Sequence, residues 1–334
     1  MLYIALPSFM KIIISRKGFD TTYGGRPSPI LPDGTILSLP IPSRGYSSDL
    51  LYDGKRKQIL IKFRNLQIPH YIREKLLQKG IKSRHLSSYH HLMTSLFPRA
   101  KYKLKNSWLN LNGKKALYCH LDPDIYSFIR SRPPEWRALF GQVGAAQSHL
   151  RNQKVGKNDI FLFFGWFQET EVINGDIKYK GAIQGKHILF GYFQVEKIIR
   201  NQLDKIEPWM EYHPHCNEGF WKKNNNTIYV ARNELSFDSN LPGAGYFQFS
   251  KELQLTESDP SINPNGNLTK WKYEFFPSDC CFSINTNTKY GKNEEYHFFK
   301  ALEIGQEVVV SKSKNFTGKI KSIISKHIAN VKAL

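Results

Sequence analysis

The stretch Asn158-Asp159-Ile160-Phe161-Leu162-Phe163-Phe164-Gly165-Trp166-Phe167, answered further on by Ile188-Leu189-Phe190-Gly191-Tyr192-Phe193-Gln194-Val195, decides the fold. Both runs are short, continuously apolar and rich in aromatic and β-branched residues, and both are bounded by turn formers. They therefore read as strands. Gly165 and Gly191 inside them mark bulges or a close backbone approach. A turn ending in Asp159, an aromatic strand and a second aromatic strand make the pattern of a small barrel wall.

Working outward, residues 11–15, 227–231, 246–249 and 307–310 carry the same texture and read as further short strands. The Gly- and Pro-dense segment 24–42 reads as a rigid irregular lead with short edge strands, 35–39 foremost. Helices are expected over 69–79, between Pro69 and Gly80, and from Asp122 to 129, with Asp122 as N-cap, Pro123 at the first helical position and Asp124 in the first turn. A third is expected within 135–150 and a last over 320–331. The fold class that follows is mixed α+β, with a basic, helix-containing N-terminal half and a β-rich C-terminal half of PUA-like barrel type. One large unit over 10–310 precedes a helical C-terminal extension, 311–334. Met10 directly precedes the first strand, so residues 1–9 read as an upstream extension.

Of 334 residues, 40% are hydrophobic and 13% aromatic, enough to bury a sizeable core and too many for a disordered or collagen-like chain. No run approaches the roughly 20 apolar residues of a bilayer helix, so no membrane partner is expected. The four cysteines, Cys119, Cys216, Cys280 and Cys281, form no CxxC pair, and no export signal is legible at the N-terminus, which together lead us to expect a reduced, cytoplasmic protein.

The net charge of +20 is unevenly spread: residues 1–150 hold 24 basic and 8 acidic side chains, and residues 55–115 hold sixteen basic side chains with Glu74 as the sole acid. A one-signed stretch repels itself unless a polyanion docks on it and releases its counterions. Lys55, Arg56, Lys57, Lys101, Lys103, Lys105, Lys114 and Lys115 are the candidate contacts to nucleic acid, DNA in the first place. Solvated, compositionally biased lysine is the plainer account, but it does not explain the absence of acids.

Four groups of residues could carry chemistry. Lys17 and Asp20 lie at the end of the first strand, where they could pair or face a phosphate. His120 stands two residues before Asp122 and four before Asp124; helix capping would account for the acids and leaves His120 as a candidate acid or base. The aromatic runs offer Phe164, Trp166 and Tyr192 for stacking an extruded base, with Gln194 reading its polar edge. His213 and His215 in His213-Pro214-His215-Cys216 are weak metal candidates needing further ligands such as His187 or His120, so no metal is assigned. Glu307 in a late strand could partner Lys17 across the sheet. No GxGxxG, Walker A or HExxH pattern nominates a cofactor, which leaves the cofactor unknown.

In order along the chain, Lys17-Gly18-Phe19-Asp20, Pro27-Ser28-Pro29-Ile30, Pro32-Asp33-Gly34, Leu39-Pro40-Ile41-Pro42, residues 120–124, Phe140-Gly141-Gln142, His149-Leu150, Phe163-Phe164-Gly165-Trp166-Phe167, His213-Pro214-His215, Pro242-Gly243-Ala244-Gly245 and Gly305-Gln306-Glu307 resemble the nucleotide-modification-associated domain family, third type. The resemblance implies an association with DNA base hypermodification and supplies no catalytic residues. Asn158 departs from it where glycine is expected, but Asn tolerates the left-handed backbone. More loosely, residues 159–195 are similar to the strand pair of PUA-like and EVE-like barrels, which bind flipped bases. Two functions are expected from these readings. The first is a DNA-binding protein linked to base modification, with the basic segment holding phosphates and the aromatic pocket receiving a base. The second is an enzyme modifying a base or nucleotide, or a nuclease, built on Lys17, Asp20, His120 and Glu307.

Overall fold

The computed structural model describes residues 10–43, 61–113, 117–200, 205–216, 225–283, 290–293, 296–300, 307–311 and 313–329. Ten strands form its principal sheet: β1 (Ile12–Arg16), β2 (Ser28–Ile30), β3 (Leu139–Gln142), β4 (Ile160–Ile173), β5 (Asp176–Tyr179), β6 (Lys186–Arg200), β7 (Thr227–Ala231), β8 (Ala244–Tyr246), β9 (Cys281–Phe282) and β10 (Val308–Ser311). Their order is β9-β10-β1-β4-β6-β7-β3, with β2 and β5 also on β4 and β8 also on β6. β1 and β2 run parallel to β4, and the other pairings are antiparallel.

The two aromatic runs are the centre of this sheet. β4 and β6 pair from Ile160 opposite Gln194 to Phe167 opposite Lys186, with a register shift at Phe163/Phe164 where Gly191 sits. A Cβ on Gly191 would lie 2.2 Å from Ile125 and 2.8 Å from the Gly245 carbonyl, so glycine lets β8 and the chain at Ile125 close on β6. Alternation sends Phe161 and Phe163 to one face, against Phe140, Phe193 and Tyr229, and sends Leu162 and Phe164 to the other, where Phe164 meets Trp271 edge-on at 4.9 Å. Both faces are covered, which is why the sequence is apolar without interruption. Asn158 has φ 72°, the left-handed conformation that its side chain tolerates.

The architecture is mixed α+β and mostly β. The closed, PUA-like barrel anticipated from the strand pair is not found among the described strands, whose order begins at β9 and ends at β3. Nor do the two halves separate, because β1 and β2 from the basic half pair directly with β4.

Four α-helices are present among the described residues: α1 (His70–Gln78), α2 (Tyr89–Leu96), α3 (Gly144–Asn152) and α4 (Lys314–His327). α1 follows Pro69 and stops before Gly80, whose φ of 83° is free to glycine. α4 buries Phe316, Ile320, Ile323 and Ile324 in the same core as the sheet. The helix expected from Asp122 is absent: only a 3₁₀ turn, Ser127–Ile129, forms there, and Asp122-Pro123 is a cis peptide. A capping pattern needs a following run free to coil, whereas here Asp124 is bridged to Leu139 by backbone hydrogen bonds in both directions.

One buried imidazole makes the fold acid-labile. His187 Nδ1 accepts the Trp271 indole N–H at 3.1 Å, so the ring is held neutral with its proton on Nε2. Burial, helped by nearby Arg16, pushes it down to about 3. The unfolded chain therefore binds this proton first. Stability is complete above about pH 6.5 and falls by about 1.4 kcal/mol for each pH unit below it, down to the folded value. Urea titrations at pH 7, 6, 5 and 4 should show at least this slope, and His187→Gln should reduce it by about 1.4 kcal/mol per pH unit.

Candidate functional site

Strand β3 carries two polar clusters, one through its backbone and one through a side chain. The Gly141 N–H donates to Asp122 Oδ1 at 2.9 Å, and the Gln142 amide donates to Glu307 Oε1 at 2.6 Å. Three imidazoles surround Asp122: His213 Nε2 lies 3.3 Å from Oδ1, while His215 Nε2 and His120 Nε2 lie 3.6 and 3.8 Å from Oδ2. Asp122, His213 and His215 are buried, and His120 is the partly open member. Gly141 makes room for this arrangement, since a Cβ there would fall 2.1 Å from His215 Cγ.

Local sequence sets the positions. His120 ends the small strand Tyr118–His120, paired with Ile41–Ser43 and Ile61–Lys62, and Asp122 follows as the chain turns toward β3. His213 and His215 come from a 3₁₀ segment around Pro214, and Asn226 at the entrance to β7 holds the second imidazole by accepting from Nδ1 at 2.8 Å. Burial alone would raise the Asp122 carboxyl, but His120 and His213, with His215 nearby, hold it well below the usual carboxylate range. Burial pushes His215 down to about 3, against the pull of Asp122, so the site pairs a carboxylate with a neutral ring. His120, Asp122 and His215 each offer a ligand atom within 4.8 Å of one another.

The second cluster brings together two residues nominated from opposite ends of the chain. Lys17 Nζ lies 3.2 Å from Glu307 Oε1 and 4.6 Å from the centre of the Phe140 ring, with Glu307 3% exposed. Oε2 of Glu307 has no hydrogen-bond partner among the described residues. His149 is bonded to Ser283 Oγ at 2.8 Å; burial lowers its proton affinity, and Glu307 partly offsets this.

Residues 11–311 match the family model described as nucleotide modification associated domain 3. The chain belongs to this family. No curated protein and no solved structure matches it. The family's description associates it with nucleotide modification. No helix among its described residues is long and apolar enough to cross a membrane.

The other residues nominated from sequence are spread over this nucleotide modification associated domain. Asp20 does not join the clusters: its Oδ1 accepts from the Thr22 and Tyr23 amides at 2.7 and 2.6 Å, which fixes a turn. Asp124 faces away from Asp122, into a buried ion pair with Arg132 and a 2.5 Å bond from the Tyr212 hydroxyl. Phe164, Trp166, Tyr192 and Gln194 are all buried: the Trp166 indole donates to Gln184 O, Tyr192 to Pro242 O, and Gln194 to Asn158 O and Ser236 Oγ. These four line neither a cavity of about 290 Å³ beside Phe167 and Gln184 nor a larger one of about 630 Å³ bounded by Trp136, Arg137, Arg232 and Tyr246.

Lys55, Arg56, Lys57, Lys114 and Lys115 lie outside the described residues, as do Gly305 and Gln306. Lys101 and Lys103 lie on the hairpin Lys101–Leu104/Ser107–Asn110, with Lys105 at its turn. Tyr102 and Leu104 point inward, and Lys103 sits opposite Trp108, which is 45% exposed and stacked under the Arg26 guanidinium at 4.8 Å. An exposed indole among cations was not visible in the sequence, because Arg26 and Trp108 are far apart along the chain. Asn226, Gln142 and Gly141 were likewise missed as site residues; of these only Gly141-Gln142 lay in a quoted motif.

Proposed function

We propose that this chain is an enzyme acting on a base or nucleotide of nucleic acid, with the Asp122 and Glu307 clusters as its reacting groups and the hairpin 101–110 as part of its nucleic-acid contact. The observation that carries this reading is a buried carboxylate, Asp122, ringed by three imidazoles on one face of β3, with the Lys17–Glu307 pair on the opposite face. Acid–base chemistry needs such groups within reach of a common point. The aromatic side chains that a base reader would use are instead engaged in core hydrogen bonds and stacking. Family membership supports the nucleotide as the object of the chemistry. Lys101, Lys103 and Lys105, set beside an exposed tryptophan, suit a backbone-tracking surface on which a base can stack.

The test has two arms. Anisotropy titrations of single- and double-stranded DNA across salt concentrations should show the triple variant K101E/K103E/K105E weakened on every sequence, with a log–log salt slope smaller by about 2 to 3. Trp108→Ala should cost single-stranded binding about 1–3 kcal/mol. Mass analysis of nucleosides after incubation of DNA or nucleotides with the protein should reveal a changed base or cleaved strand, reduced at least about 100-fold in Glu307→Gln. Unchanged salt-dependent binding removes the hairpin from the interface, and an equal product yield from Glu307→Gln removes that carboxylate from the chemistry.

A further inference from the structure

The two oxygens of Asp122 have different surroundings. Oδ1 is held by donors, with the Gly141 N–H at 2.9 Å and His213 Nε2 at 3.3 Å. Oδ2 is the oxygen nearest His120 Nε2 and His215 Nε2. Hydrogen bonding fixes the tautomers of two of these rings. Asn226 Nδ2 donates to the His215 carbonyl at 2.9 Å, which leaves Asn226 Oδ1 as the acceptor facing His215 Nδ1. The His215 proton is therefore on Nδ1, and its Nε2 turns a lone pair toward Asp122. His213 Nδ1 accepts the His215 N–H at 3.3 Å, so its own proton is on Nε2, pointing at Oδ1. That Nε2 is completely buried and lies 3.3 Å from Oδ1 without a hydrogen bond of good geometry among the described residues, its proton aimed into the cluster.

A neutral imidazole lone pair and a carboxylate oxygen facing each other in a buried setting call for a cation between them. We propose that His120 Nε2, His215 Nε2 and Asp122 Oδ2 bind a divalent first-row transition metal ion, with Asn226 and His213 orienting the ligands from behind. Ligand atoms about 2.0–2.2 Å from one such ion are roughly 3.0–3.6 Å apart; the 3.6 and 3.8 Å separations from Asp122 lie at or near that range, and the two imidazoles, whose ligand atoms are within 4.8 Å of each other, reach it by an inward turn of the ring of His120. The outer partners follow the usual logic of metal sites: the second nitrogen of the ligating His215 is tied to an amide oxygen, and the ligating carboxylate is hydrogen-bonded through its other oxygen. Two imidazoles and one carboxylate leave positions open for water or a substrate oxygen, the donor set of catalytic rather than structural sites. His120, the partly exposed ligand, marks the side from which an ion and a substrate oxygen would enter. The site rests on the preceding reading only for what the ion would act on.

The test uses the full chain, free of any affinity tag and stripped with a chelator, then dialysed against Co(II), Mn(II), Fe(II) under anaerobic conditions, or Zn(II). Elemental analysis should find one ion per chain for at least one of these metals, and Co(II) should develop visible d–d bands. Because Asp122 and His215 are buried, the first variant is His120→Ala, whose circular dichroism should match the parent while its metal affinity falls about 100-fold. Asn226→Ser, which leaves all three ligands in place, should lower affinity about 10-fold. A folded parent that takes up less than stoichiometric metal from every solution overturns the site, as does uptake unaltered in both His120→Ala and Asp122→Asn. Neither measurement involves nucleic acid, so the metal site can fail while base chemistry stands, and the reverse.

Discussion

Glu307→Ala should lower the unfolding free energy by about 3–5 kcal/mol, most of what a domain has to spare. The Lys17 side chain is 12% exposed and the Glu307 side chain 3% exposed, so removing the carboxylate leaves a cation without its counter-ion beside the Phe140 ring. It also leaves the Gln142 amide without its 2.6 Å acceptor. Glu307→Gln keeps an acceptor for Gln142 and should cost less than the alanine variant. The double variant Lys17→Met/Glu307→Leu should recover most of the loss, because an apolar pair needs no compensation at all. Urea unfolding of the four proteins, with Lys17→Met and Glu307→Leu added as single variants, gives the cycle. A loss below about 1 kcal/mol for Glu307→Ala would mean that water reaches the pair. The same substitutions separate stability from chemistry: if the double variant is as stable as the parent yet makes no modified nucleoside, the pair is kept for what it does to a substrate.

Much of the sheet could be read in the chain because its determinants are local. Residues 160–167 and 188–193 carry no charged or amide side chain and are rich in aromatics, as strands covered on both faces are, and β4 and β6 extend both runs. Pro69 and Gly80 bracket α1 for reasons confined to their own backbones. The errors come where tertiary contacts overrule such signals. Asp122-Pro123-Asp124 carries a helix-start pattern, but Asp122 is instead surrounded by histidines and Asp124 is pinned to Arg132 and Tyr212. α2 was not anticipated, although Ser88 caps it by accepting from the His91 amide, because the histidines and serines of 87–95 hide its apolar spacing.

The candidate site was half legible. Lys17, His120, His213, His215 and Glu307 could be nominated as residues without an obvious structural duty. Their grouping into an Asp122 set and a Glu307 set could not, since the contacts span separations such as 17 to 307 and 142 to 307. Asp20 shows the converse: a carboxylate at a strand end has a local partner available, and the Thr22 and Tyr23 amides take it. Aromatic residues are hardest to assign from sequence. Stacking a base and filling a core require the same side chains, and only burial distinguishes Trp108 from Trp166.

Gly141→Ala should be a severely damaging single-methyl addition, and one that strikes the Asp122 cluster directly. Gly141 is in β3, paired with Ile228 of β7, so its backbone cannot move without breaking the edge of the sheet. The added Cβ would stand 2.1 Å from His215 Cγ and 2.2 Å from its Cδ2, deep inside van der Waals contact. His215 cannot easily yield, because both its ring and its carbonyl are tied to Asn226 and Gly141 packs directly against the ring. Overpacking of this kind costs about 1–3 kcal/mol when the neighbours can shift, and more when they cannot. The ring can escape only by rotating off Asn226, which would carry Nε2 away from Asp122. The expected result is therefore a loss of at least about 3 kcal/mol in urea unfolding together with complete loss of Co(II) bands in whatever folded protein survives. Gly141→Ala/His215→Ala, which removes the clashing ring, should regain part of the stability and none of the metal binding. If the single variant instead kept parental stability and spectrum, His215 would have to lie elsewhere than over Gly141, and the shape of the Asp122 cluster would be wrong.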